Sequence, residues 1–405
     1  MILMKNIDFL LGDYKNLEKC DKIHPYIPFD DKIIEFFNSL SKELMNNTKA
    51  KKYSDVITFA FFIRKNNVLK LKERYNAQTC MKLGLGNAFH IAPSNVPVNF
   101  AYSLFASLIC GNANTVKVSN KEFEQVNIIC DSIKTVLIEY DDIKPYINII
   151  RYNNEKDIND MLSSICDIRI IWGGNDTINT IRQSKIKERT REITFSDRYS
   201  LAVIDIDYYN ILDDKYKSSV MSNFYNDTYL SDQNACTSPR LLCFVGASAV
   251  DDFYSRLYDL VKDKYDFKDI FASNKYVSVT TFITSLKNYN AKLLRVNNSN
   301  LIYRVLIDND LLLDEKLIDY KGNCGTFLEV HYRNMSDLLK LEKLCNDNSI
   351  QTISYLGDSN MFNDLLSLKL KGIDRVVPIG KTMDFDLLWD GYNLFEMFTR
   401  NISVM

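Results

Sequence analysis

The sequence is poor in several residue types on which common active sites depend. Its 405 residues include three histidines, which lie far apart at positions 24, 90 and 331. No two of them have the i, i+4 spacing of a helical metal site, and no group of His and Cys has zinc-ligand spacing. A GxSxG elbow, which carries the serine nucleophile in one large class of hydrolases, is also missing. The sequence therefore predicts no metal centre and a chemistry that needs little histidine.

Neither sign of charge predominates, since 50 Lys and Arg residues face 52 Asp and Glu residues. Nucleic-acid-binding proteins usually carry a basic excess or a basic stripe, so we predict no nucleic-acid partner. The longest apolar run, at 241–250, is much shorter than the ~20 residues that a membrane-spanning helix needs. The first residues do not follow the pattern of a secretory signal. We therefore expect a cytoplasmic protein without stable membrane insertion.

The nine cysteines form no CxxC pair, so we expect free thiols and not a disulfide framework. Glycine motifs for phosphate binding are missing as well. There is no Walker A sequence, and Gly84-Leu85-Gly86 precedes a predicted strand, whereas a dinucleotide fingerprint follows a strand and opens a helix. A nucleotide site, if present, must use other residues.

From residue 87 onward, short apolar runs alternate with segments of helical periodicity. The predicted strands are 89–92, 115–118, 147–151 and 168–172, and the predicted helices between them are 98–110, 121–139 and 156–165. This alternation predicts an α/β fold with a parallel sheet covered by helices on both faces. Such sheets bind ligands at the carboxyl ends of their strands. We therefore expect a cofactor at the loops 93–97, 118–121 and 172–176.

The second half of the chain has a different pattern. A strand at 200–205 closes the first half, and a helix at 211–229, the loop 231–239, a strand at 240–245 and a helix at 251–264 follow. These features predict a first domain at 1–206 that includes an N-terminal helical segment with Asp30 or Asp31 as a helix cap. A second domain is predicted at 207–375 and a C-terminal segment at 376–405.

Cys236 carries the clearest chemical signal in the sequence. It lies in a polar loop, between Gln233-Asn234-Ala235 and Thr237-Ser238, whereas most other cysteines lie in apolar or helical settings. A nucleophilic thiol needs solvent access and a stabilised thiolate, and a polar loop can provide both. The alternative is a buried structural cysteine.

Three further positions each allow two interpretations. Asn95, in a strand-to-helix turn, is either a turn residue or an oxyanion donor. Lys117, near the end of a strand, either extends to solvent or meets a ligand. Gly173 and Gly174, between a strand and a helix, form either a tight turn or a close approach to a phosphate.

Several segments together resemble one enzyme family. They are 90–97, 111–119, 171–174, 195–200, 232–239 and 375–380 with 389–392. In their order they resemble the acyl-CoA reductase family typified by the LuxC fatty acid reductase, within the aldehyde dehydrogenase superfamily. The resemblance implies an aldehyde-dehydrogenase-like α/β fold, with a Rossmann-type nicotinamide-cofactor domain at 1–206 and an α/β catalytic domain at 207–375 that bears the nucleophilic cysteine.

The resemblance implies roles for the candidate residues. Cys236 would accept the acyl group, and Asn95 with the Cys236 N–H would hold the oxyanion. Lys117 and Ser119 would hold the adenosine ribose of the cofactor. NAD-preferring relatives often carry Glu where this chain has Asn120, so NADPH is the expected donor and NADH the alternative. The pyrophosphate would pass Trp172, Gly173 and Gly174.

The implied activity is NADPH-dependent reduction of a long-chain fatty acyl thioester, acyl-CoA or acyl-protein, to the aldehyde through an S-acyl cysteine. Two departures from the superfamily pattern qualify it. First, the water-activating Glu of hydrolytic relatives has no match in residues 193–198, and Glu192 is out of register with it. Second, the Glu-x-Phe-Gly-Pro element of the superfamily is only partly present at residues 323–327. The first departure favours reduction over hydrolysis.

The expected partners are the acyl substrate, an acyl-protein synthetase and further copies of the chain in a homo-oligomer. Three other functions remain open. They are a short-chain CoA-acylating aldehyde dehydrogenase, a cofactor-independent Cys acyltransferase or thioesterase, and a non-catalytic subunit of an acyl-activating complex.

Overall fold

The computed structural model describes residues 6–75, 81–153, 155–286, 290–308, 317–345 and 349–403. The chain forms two compact units: unit 1 contains Met1–Asp197 and Phe385–Met405, and unit 2 contains Arg198–Asp384. This division differs from the predicted boundary at 206, because the strand Tyr199–Asp205 hydrogen-bonds within the second sheet and does not close the first. The predicted C-terminal segment 376–405 is likewise shared between the two units.

Unit 1 is built on a six-stranded sheet of order β1-β5-β4-β3-β6-β7. All neighbouring strands are parallel except β1 and β5. The strands are β1 (Asp8–Leu11), β3 (Asn87–Ile91), β4 (Ala113–Lys117), β5 (Ile147–Arg151), β6 (Ile168–Trp172) and β7 (Arg191–Phe195). The predicted strands 147–151 and 168–172 are confirmed at both ends. Strand β7 was not predicted, since only two of its residues, Ile193 and Phe195, are buried.

Helices cover both faces of this sheet, as predicted. They are α1 (Tyr14–Leu17), α2 (Asp31–Asn46), α3 (Ser54–Phe62), α4 (Lys65–Tyr75), α5 (Asn99–Ile109), α6 (Glu124–Val136), α7 (Lys156–Ile165), α8 (Asn175–Arg182) and α15 (Leu394–Phe398). Alternate strand residues enter different cores: Ile149 packs with α2 and α6, whereas Ile150 packs with α7. Asp30 caps α2 by accepting from the Lys32 N–H at 2.9 Å, as predicted.

The C-terminal residues complete unit 1. Strand β17 (Thr399–Ile402) pairs antiparallel with β2 (Met81–Gly84), and β15 (Leu388–Trp389) pairs with β16 (Tyr392–Asn393). Lys82 of β2 is buried, and its ammonium contacts both carboxylate oxygens of Glu396 at 2.7 and 2.8 Å. The final segment is therefore tied to unit 1 by a strand ladder and by an ion pair whose lysine is buried.

Unit 2 has a seven-stranded sheet of order β10-β11-β12-β9-β8-β13-β14, parallel except for β10 and β11. The strands are β8 (Tyr199–Asp205), β9 (Leu241–Val245), β10 (Lys292–Arg295), β11 (Tyr303–Leu306), β12 (Thr326–Tyr332), β13 (Ile350–Leu356) and β14 (Ile373–Pro378). The helices are α9 (Ile206–Ile211), α10 (Asp214–Thr228), α11 (Asp251–Lys264), α12 (Asp269–Ser285), α13 (Glu342–Cys345) and α14 (Met361–Ser367).

The predicted helix at 211–229 corresponds to α10, which begins three residues later and ends one residue earlier, and the short helix α9 precedes it. Asp205 caps α9 and Asp213 caps α10, each accepting a backbone N–H at 2.8 Å. Across the described part of the chain, no helix combines the length and apolar character that crossing a bilayer requires.

Candidate active site

The strand order of unit 1 brings its candidate residues to one edge. The chain runs from β3 outward through β4 to β5, then returns to the other side of β3 for β6 and β7. This reversal is the topological switch point at which doubly wound sheets bind ligands, beyond the carboxyl ends of the strands. Asn95 follows β3, Lys117 ends β4 and Trp172 ends β6. These residues therefore surround the switch point of unit 1.

Asn95 is exposed in the bend between β3 and α5. The N-cap of α5 is Val98, which makes no side-chain capping bond. Within the described residues, no group hydrogen-bonds to the Asn95 side chain. The amide is therefore not used as a helix cap, and its N–H groups are available to a ligand.

Lys117 places an ammonium at the end of β4. Its Nζ lies 5.1 Å from the ring centroid of Tyr152, and partial burial lowers its pKa. The Tyr152 hydroxyl beneath it donates to Asn159 at 2.6 Å. In the ranges that the structure describes, no carboxylate pairs with Lys117. This half-buried cation is therefore suited to a polar or anionic ligand.

Ser119 and Asn120 lie beside an arginine that the sequence analysis did not single out. Arg151, at the end of β5, donates from Nε to the Ser119 carbonyl at 3.1 Å. A terminal nitrogen of its guanidinium, Nη2, is buried and has no hydrogen-bond partner among the described residues. The Ser119 hydroxyl accepts from the Lys121 N–H at 3.1 Å, and the Asn120 amide donates to Asn153 at 3.2 Å. Two cations thus lie at the ends of the adjacent strands β4 and β5.

Trp172 and the two glycines contribute in different ways. The Trp172 indole is buried, stacks on Phe195 at 3.7 Å between centroids and donates to Ser103 Oγ at 3.1 Å. Its side chain is thus part of the core, which leaves its backbone for a ligand. A Cβ on Gly174 would lie 2.8 Å from a carboxylate oxygen of Asp197, and one on Gly173 would lie 3.0 Å from the Thr177 side chain. Gly174 is also the N-cap of α8.

His90 is a structural residue of this core. Its Nε2 lies 3.1 Å from Asn114 Oδ1, and its Nδ1 lies 2.8 Å from Ser103 Oγ. Because the Asn114 amide donates to the Asn112 carbonyl at 2.7 Å, its Oδ1 accepts from the histidine, and Nδ1 accepts from Ser103. Burial lowers the pKa of His90 to about 4, so the ring is neutral.

Cys236 lies in unit 2, in the loop between α10 and β9. It is half-buried, whereas the other described cysteines are all buried: Cys20, Cys110, Cys130, Cys166, Cys243, Cys324 and Cys345. Burial raises the pKa of every one of those buried thiols, for example to about 11 for Cys20 and to about 12 for Cys130. Among the described thiols, Cys236 therefore has the best access for a reactant.

A buried glutamine holds the Cys236 loop to the neighbouring strand. Gln233 Oε1 accepts from the N–H groups of Gly325 and Thr326 at 3.1 and 3.2 Å, and its Nε2 donates to the Pro239 carbonyl at 2.9 Å. Arg240 donates to the Gln233 carbonyl at 3.0 Å. The backbone at Gln233 has a φ of 60°, a left-handed conformation that costs conformational energy for any residue other than glycine. The loop conformation is thus set by its contacts and not by local preference.

Two further contacts reach the loop. Ser200 of β8 donates from Oγ to the Cys236 carbonyl at 2.6 Å, and the Thr237 hydroxyl donates to Met383 Sδ at 3.2 Å. The turn before Met383 is held by Asp227, which accepts from the N–H groups of Gly380 and Thr382 at 2.6 and 3.1 Å. Burial raises the pKa of Asp227 to about 6, although these hydrogen bonds oppose the shift.

Glu192 of β7, the carboxylate nearest in sequence to the missing water-activating Glu, is fully engaged. One of its oxygens accepts from the buried Arg169, at 2.9 Å from Nε, and the other accepts from Arg182 at 2.7 Å. Burial raises its pKa, but the hydrogen bonds from the two guanidiniums outweigh burial and leave it lowered. Glu192 is therefore an ion-pair residue of unit 1.

The partial Glu-x-Phe-Gly-Pro element at residues 323–327 also contacts the Cys236 loop. Gly325 and Thr326 bind Gln233, and the Phe327 ring is buried in the core of unit 2. Within the described residues there is also no group of three His, Cys, Asp or Glu side chains with the arrangement of a metal site.

Solved structures with this fold are aldehyde dehydrogenases of low sequence identity. The NAD-dependent aldehyde dehydrogenase from Sinorhizobium meliloti is 12% identical, with a TM-score of 0.67 over 96% of this chain and 86% of that one. The NADP complex of NADP-dependent glyceraldehyde-3-phosphate dehydrogenase from Bacillus halodurans C-125 is 15% identical, with a TM-score of 0.62 over 96% and 89%. The NADP complex of GapN from Methanocaldococcus jannaschii DSM 2661 is 12% identical, with a TM-score of 0.66 over 96% and 92%. The expected aldehyde dehydrogenase fold is confirmed.

The family resemblance is confirmed as well. No curated protein matches the chain in sequence. The family model for acyl-CoA reductase (LuxC) matches residues 10–400, which is nearly the whole chain. Family and fold together support an oxidoreductase that acts on acyl groups or aldehydes. The chain belongs to the acyl-CoA reductase (LuxC) family.

Proposed function

We propose that this protein reduces a fatty acyl thioester, acyl-CoA or acyl-protein, to the aldehyde with NADPH through an S-acyl intermediate on Cys236. The observation that carries the proposal is the state of Cys236. Among the described cysteines it is half-buried while the others are buried, and its loop is held by Gln233 and Ser200. The family match supports the acyl substrate, and the position of Asn95 at the switch point supports its role as an oxyanion donor.

The residues at the edge of unit 1 fit a phosphorylated nicotinamide cofactor. Among the described residues, the buried Nη2 of Arg151 has no hydrogen-bond partner and the Lys117 ammonium has no carboxylate, so both are suited to an anion. Lys117, Ser119, Asn120 and Arg151 would hold the adenosine ribose and its 2′-phosphate. The backbone of 172–174 would hold the pyrophosphate, because small residues at a helix start admit a phosphate closely. When bound, the cofactor supplies the hydride that the acyl carbon accepts.

Cys236 performs the covalent chemistry in this proposal. Its thiolate attacks the thioester carbonyl and forms a carbon–sulfur bond, while the Asn95 amide and the Cys236 N–H donate to the oxyanion. Each such donor is typically worth about 3–4 kcal/mol. The oxyanion collapses, the bond to the substrate thiol breaks, and the acyl group remains on Cys236. After reduction of the acyl carbon, the Cys236 thiolate leaves and the aldehyde is released. A thiolate leaves without much help from a general acid, which suits a site poor in histidine.

The direct test is nicotinamide oxidation by the purified chain with NADPH or NADH and acyl-CoAs from acetyl to palmitoyl. Wild type is compared with Cys236→Ser and with Asn234→Ala, an exposed position in the same loop. We expect NADPH oxidation with longer chains, its loss in Cys236→Ser and its retention in Asn234→Ala. Mass spectrometry should find the acyl group on Cys236 when cofactor is withheld.

Other outcomes separate the rival functions. Repeated turnover of the thioester without any nicotinamide, beyond one acyl group per chain, would indicate an acyltransferase or thioesterase. A preference for acetyl-CoA would indicate a short-chain enzyme. Acylation that persists in Cys236→Ser would refute the assignment of the nucleophile.

A further inference from the structure

Unit 2 contains a lysine whose surroundings are unusual for a charged residue. Lys275 lies in α12 and is only 3% exposed, whereas the next two residues of the helix, Tyr276 and Val277, are 51% and 63% exposed. Buried lysines are normally paired with carboxylates, because an uncompensated ammonium is costly to remove from water. No carboxylate pairs with Lys275 in the part of unit 2 that the structure describes. Its burial therefore needs another explanation.

The ammonium of Lys275 is surrounded by backbone carbonyl groups. Its Nζ donates to the carbonyls of Asn300 and Leu301 at 2.9 and 3.1 Å, and to those of Cys324 and Gly325 at 2.6 and 3.3 Å. The Tyr303 ring adds a cation–π contact with its centroid at 4.5 Å. Lys275 thus joins the turn before β11 to the segment before β12.

The segment before β12 has a backbone that local preference does not favour. Cys324 and Gly325 have φ values of 49° and 81°. A Cβ on Gly325 would lie 2.5 Å from the Leu301 carbonyl, so the two segments approach closely. Their carbonyl groups converge on one point, and the ammonium compensates the partial negative charges that meet there.

The N–H groups of the same segment reach the Cys236 loop. Gly325 and Thr326 donate to Gln233 Oε1, and Cys324 donates to the Asp232 carbonyl at 3.0 Å. The carbonyl side of residues 324–325 is therefore held by Lys275, and their N–H side holds the loop. The connection from the lysine to the loop is continuous and lies entirely within unit 2.

We propose that Lys275 is a positioning residue that fixes the Cys236 loop through the backbone of residues 324–325. The functional meaning of this role rests on the proposed function, in which Cys236 is the nucleophile. Three ammonium N–H groups serve the converging carbonyls, whereas a neutral amine has two N–H groups and a lone pair that repels a carbonyl. The charged side chain therefore serves more of the converging carbonyls than the neutral amine does.

The role is coupled to pH in the neutral range. Burial lowers the pKa of Lys275 to about 7, and the nearby Cys324 opposes the shift slightly. The other titratable groups around this point include Tyr229, whose hydroxyl donates to the Leu301 carbonyl at 3.3 Å, Tyr265, whose hydroxyl donates to Asp232 at 2.6 Å, and Tyr303. Burial raises the pKa values of Cys324 and Tyr265, so both stay neutral when Lys275 loses its proton. An exposed lysine keeps its proton up to its higher, ordinary pKa, so deprotonation above about pH 7 favours the state in which Lys275 is buried, and loop order should not decrease as the pH rises through about 7.

Hydrogen–deuterium exchange on the full chain tests this role without reference to activity. Wild type, Lys275→Met and the control Lys217→Met are compared, the control removing another largely buried lysine of unit 2 that pairs with Asp252 at 3.1 Å. In wild type, protection of the peptides covering 231–240 and 322–328 should hold or rise between about pH 6 and about pH 9, after correction for intrinsic exchange. In Lys275→Met they should be poorly protected at every pH, and in Lys217→Met they should match wild type.

Unchanged protection of these peptides in Lys275→Met, or an equal loss in Lys217→Met, would overturn the proposal. If Lys275→Met does not fold, Lys275→Gln decides, because its shorter amide with two N–H groups cannot serve all four carbonyls, and unchanged protection in that variant is incompatible with the role. With acyl-CoA as substrate, Lys275→Met should lower kcat while the NADPH Kd stays unchanged. If wild type reduces no thioester, the proposed function fails, and the exchange result still stands for Lys275.

Discussion

Replacing Arg151 tests whether the edge of unit 1 recognises the 2′-phosphate that distinguishes NADPH from NADH. Arg151→Leu keeps much of the side-chain volume and removes both the Nε bond to Ser119 and the buried Nη2, which has no partner in the described parts of the chain. A hydrogen bond to a charged group contributes about 1.5–3 kcal/mol. Arg151 is partly exposed, so solvent screening places the expected loss at the lower end, about 1.5–2 kcal/mol. Each 1.4 kcal/mol is tenfold in affinity, so the NADPH Kd should rise roughly 10- to 30-fold.

Cofactor fluorescence titration of the purified chain measures this change directly. NADH carries a hydroxyl where NADPH carries the phosphate, so its Kd should change by less than about threefold, and the preference for NADPH should fall about tenfold. The matched control is Arg64→Leu, because Arg64 also donates from Nε to a backbone carbonyl of unit 1, that of Phe61 at 2.9 Å. Equal weakening of NADPH and NADH would show that Arg151 only supports the Ser119 loop. Unchanged NADPH affinity would refute the assignment of this edge to the phosphate.

Two further changes test the proposed oxyanion donor and the core of unit 2. Asn95→Ala should slow acylation of Cys236 by a factor of roughly 10²–10³, because the oxyanion loses a hydrogen-bond donor, and it should leave NADPH affinity unchanged. Stopped-flow measurement of acylation and titration with the cofactor check these two outcomes. Glu329 is buried beside Arg304. Burial alone would raise the pKa of Glu329, but the hydrogen bonds from Arg304 and His331 have the larger effect and lower its pKa to about 2. Its stabilisation is therefore present above the ordinary Glu pKa and lost as the pH falls towards about 2. Glu329→Gln should cost about 3–5 kcal/mol in urea unfolding at neutral pH, and a difference from wild type that persists undiminished at low pH would contradict the pKa assignment.

The sheet of unit 1 was accessible from the sequence because its strands are buried on both faces. Strands β5 and β6 are short apolar runs between helical segments, and the sequence predicts both with correct ends. The candidate residues Asn95 and Lys117 lie at the ends of β3 and β4, which the sequence also predicts, and the ends of parallel strands share one edge. Strand β7 lacks such a run, because polar Arg191, Glu192 and Thr194 interrupt its pattern.

The residues that hold the site were not accessible, because their partners lie far away in the sequence. Gln233 bonds to Thr326 and Lys275 bonds to Cys324, and no periodicity in one segment reports a contact with another. Arg151 ends a correctly predicted strand, but its proximity to Ser119 depends on strand order, which the pattern of elements does not give. The polar loop around Cys236 could be found from the sequence, whereas the contacts that shape it needed the structure.

Glu192 bears on the direction of the reaction that we propose. A water-activating carboxylate needs a free lone pair and a pKa near the working pH. Both oxygens of Glu192 accept from guanidiniums, one from Arg169 and one from Arg182, and its pKa is lowered. Freeing it would leave the buried Arg169 charge without its partner, which typically costs about 3–5 kcal/mol. Glu192 is thus poorly suited to activate water, and an acyl group on Cys236 would persist until hydride reaches it. Arg182→Leu, which frees one oxygen and keeps the buried pair, should therefore not convert the reductase into a thioesterase, and release of free acid by that variant would contradict this reasoning.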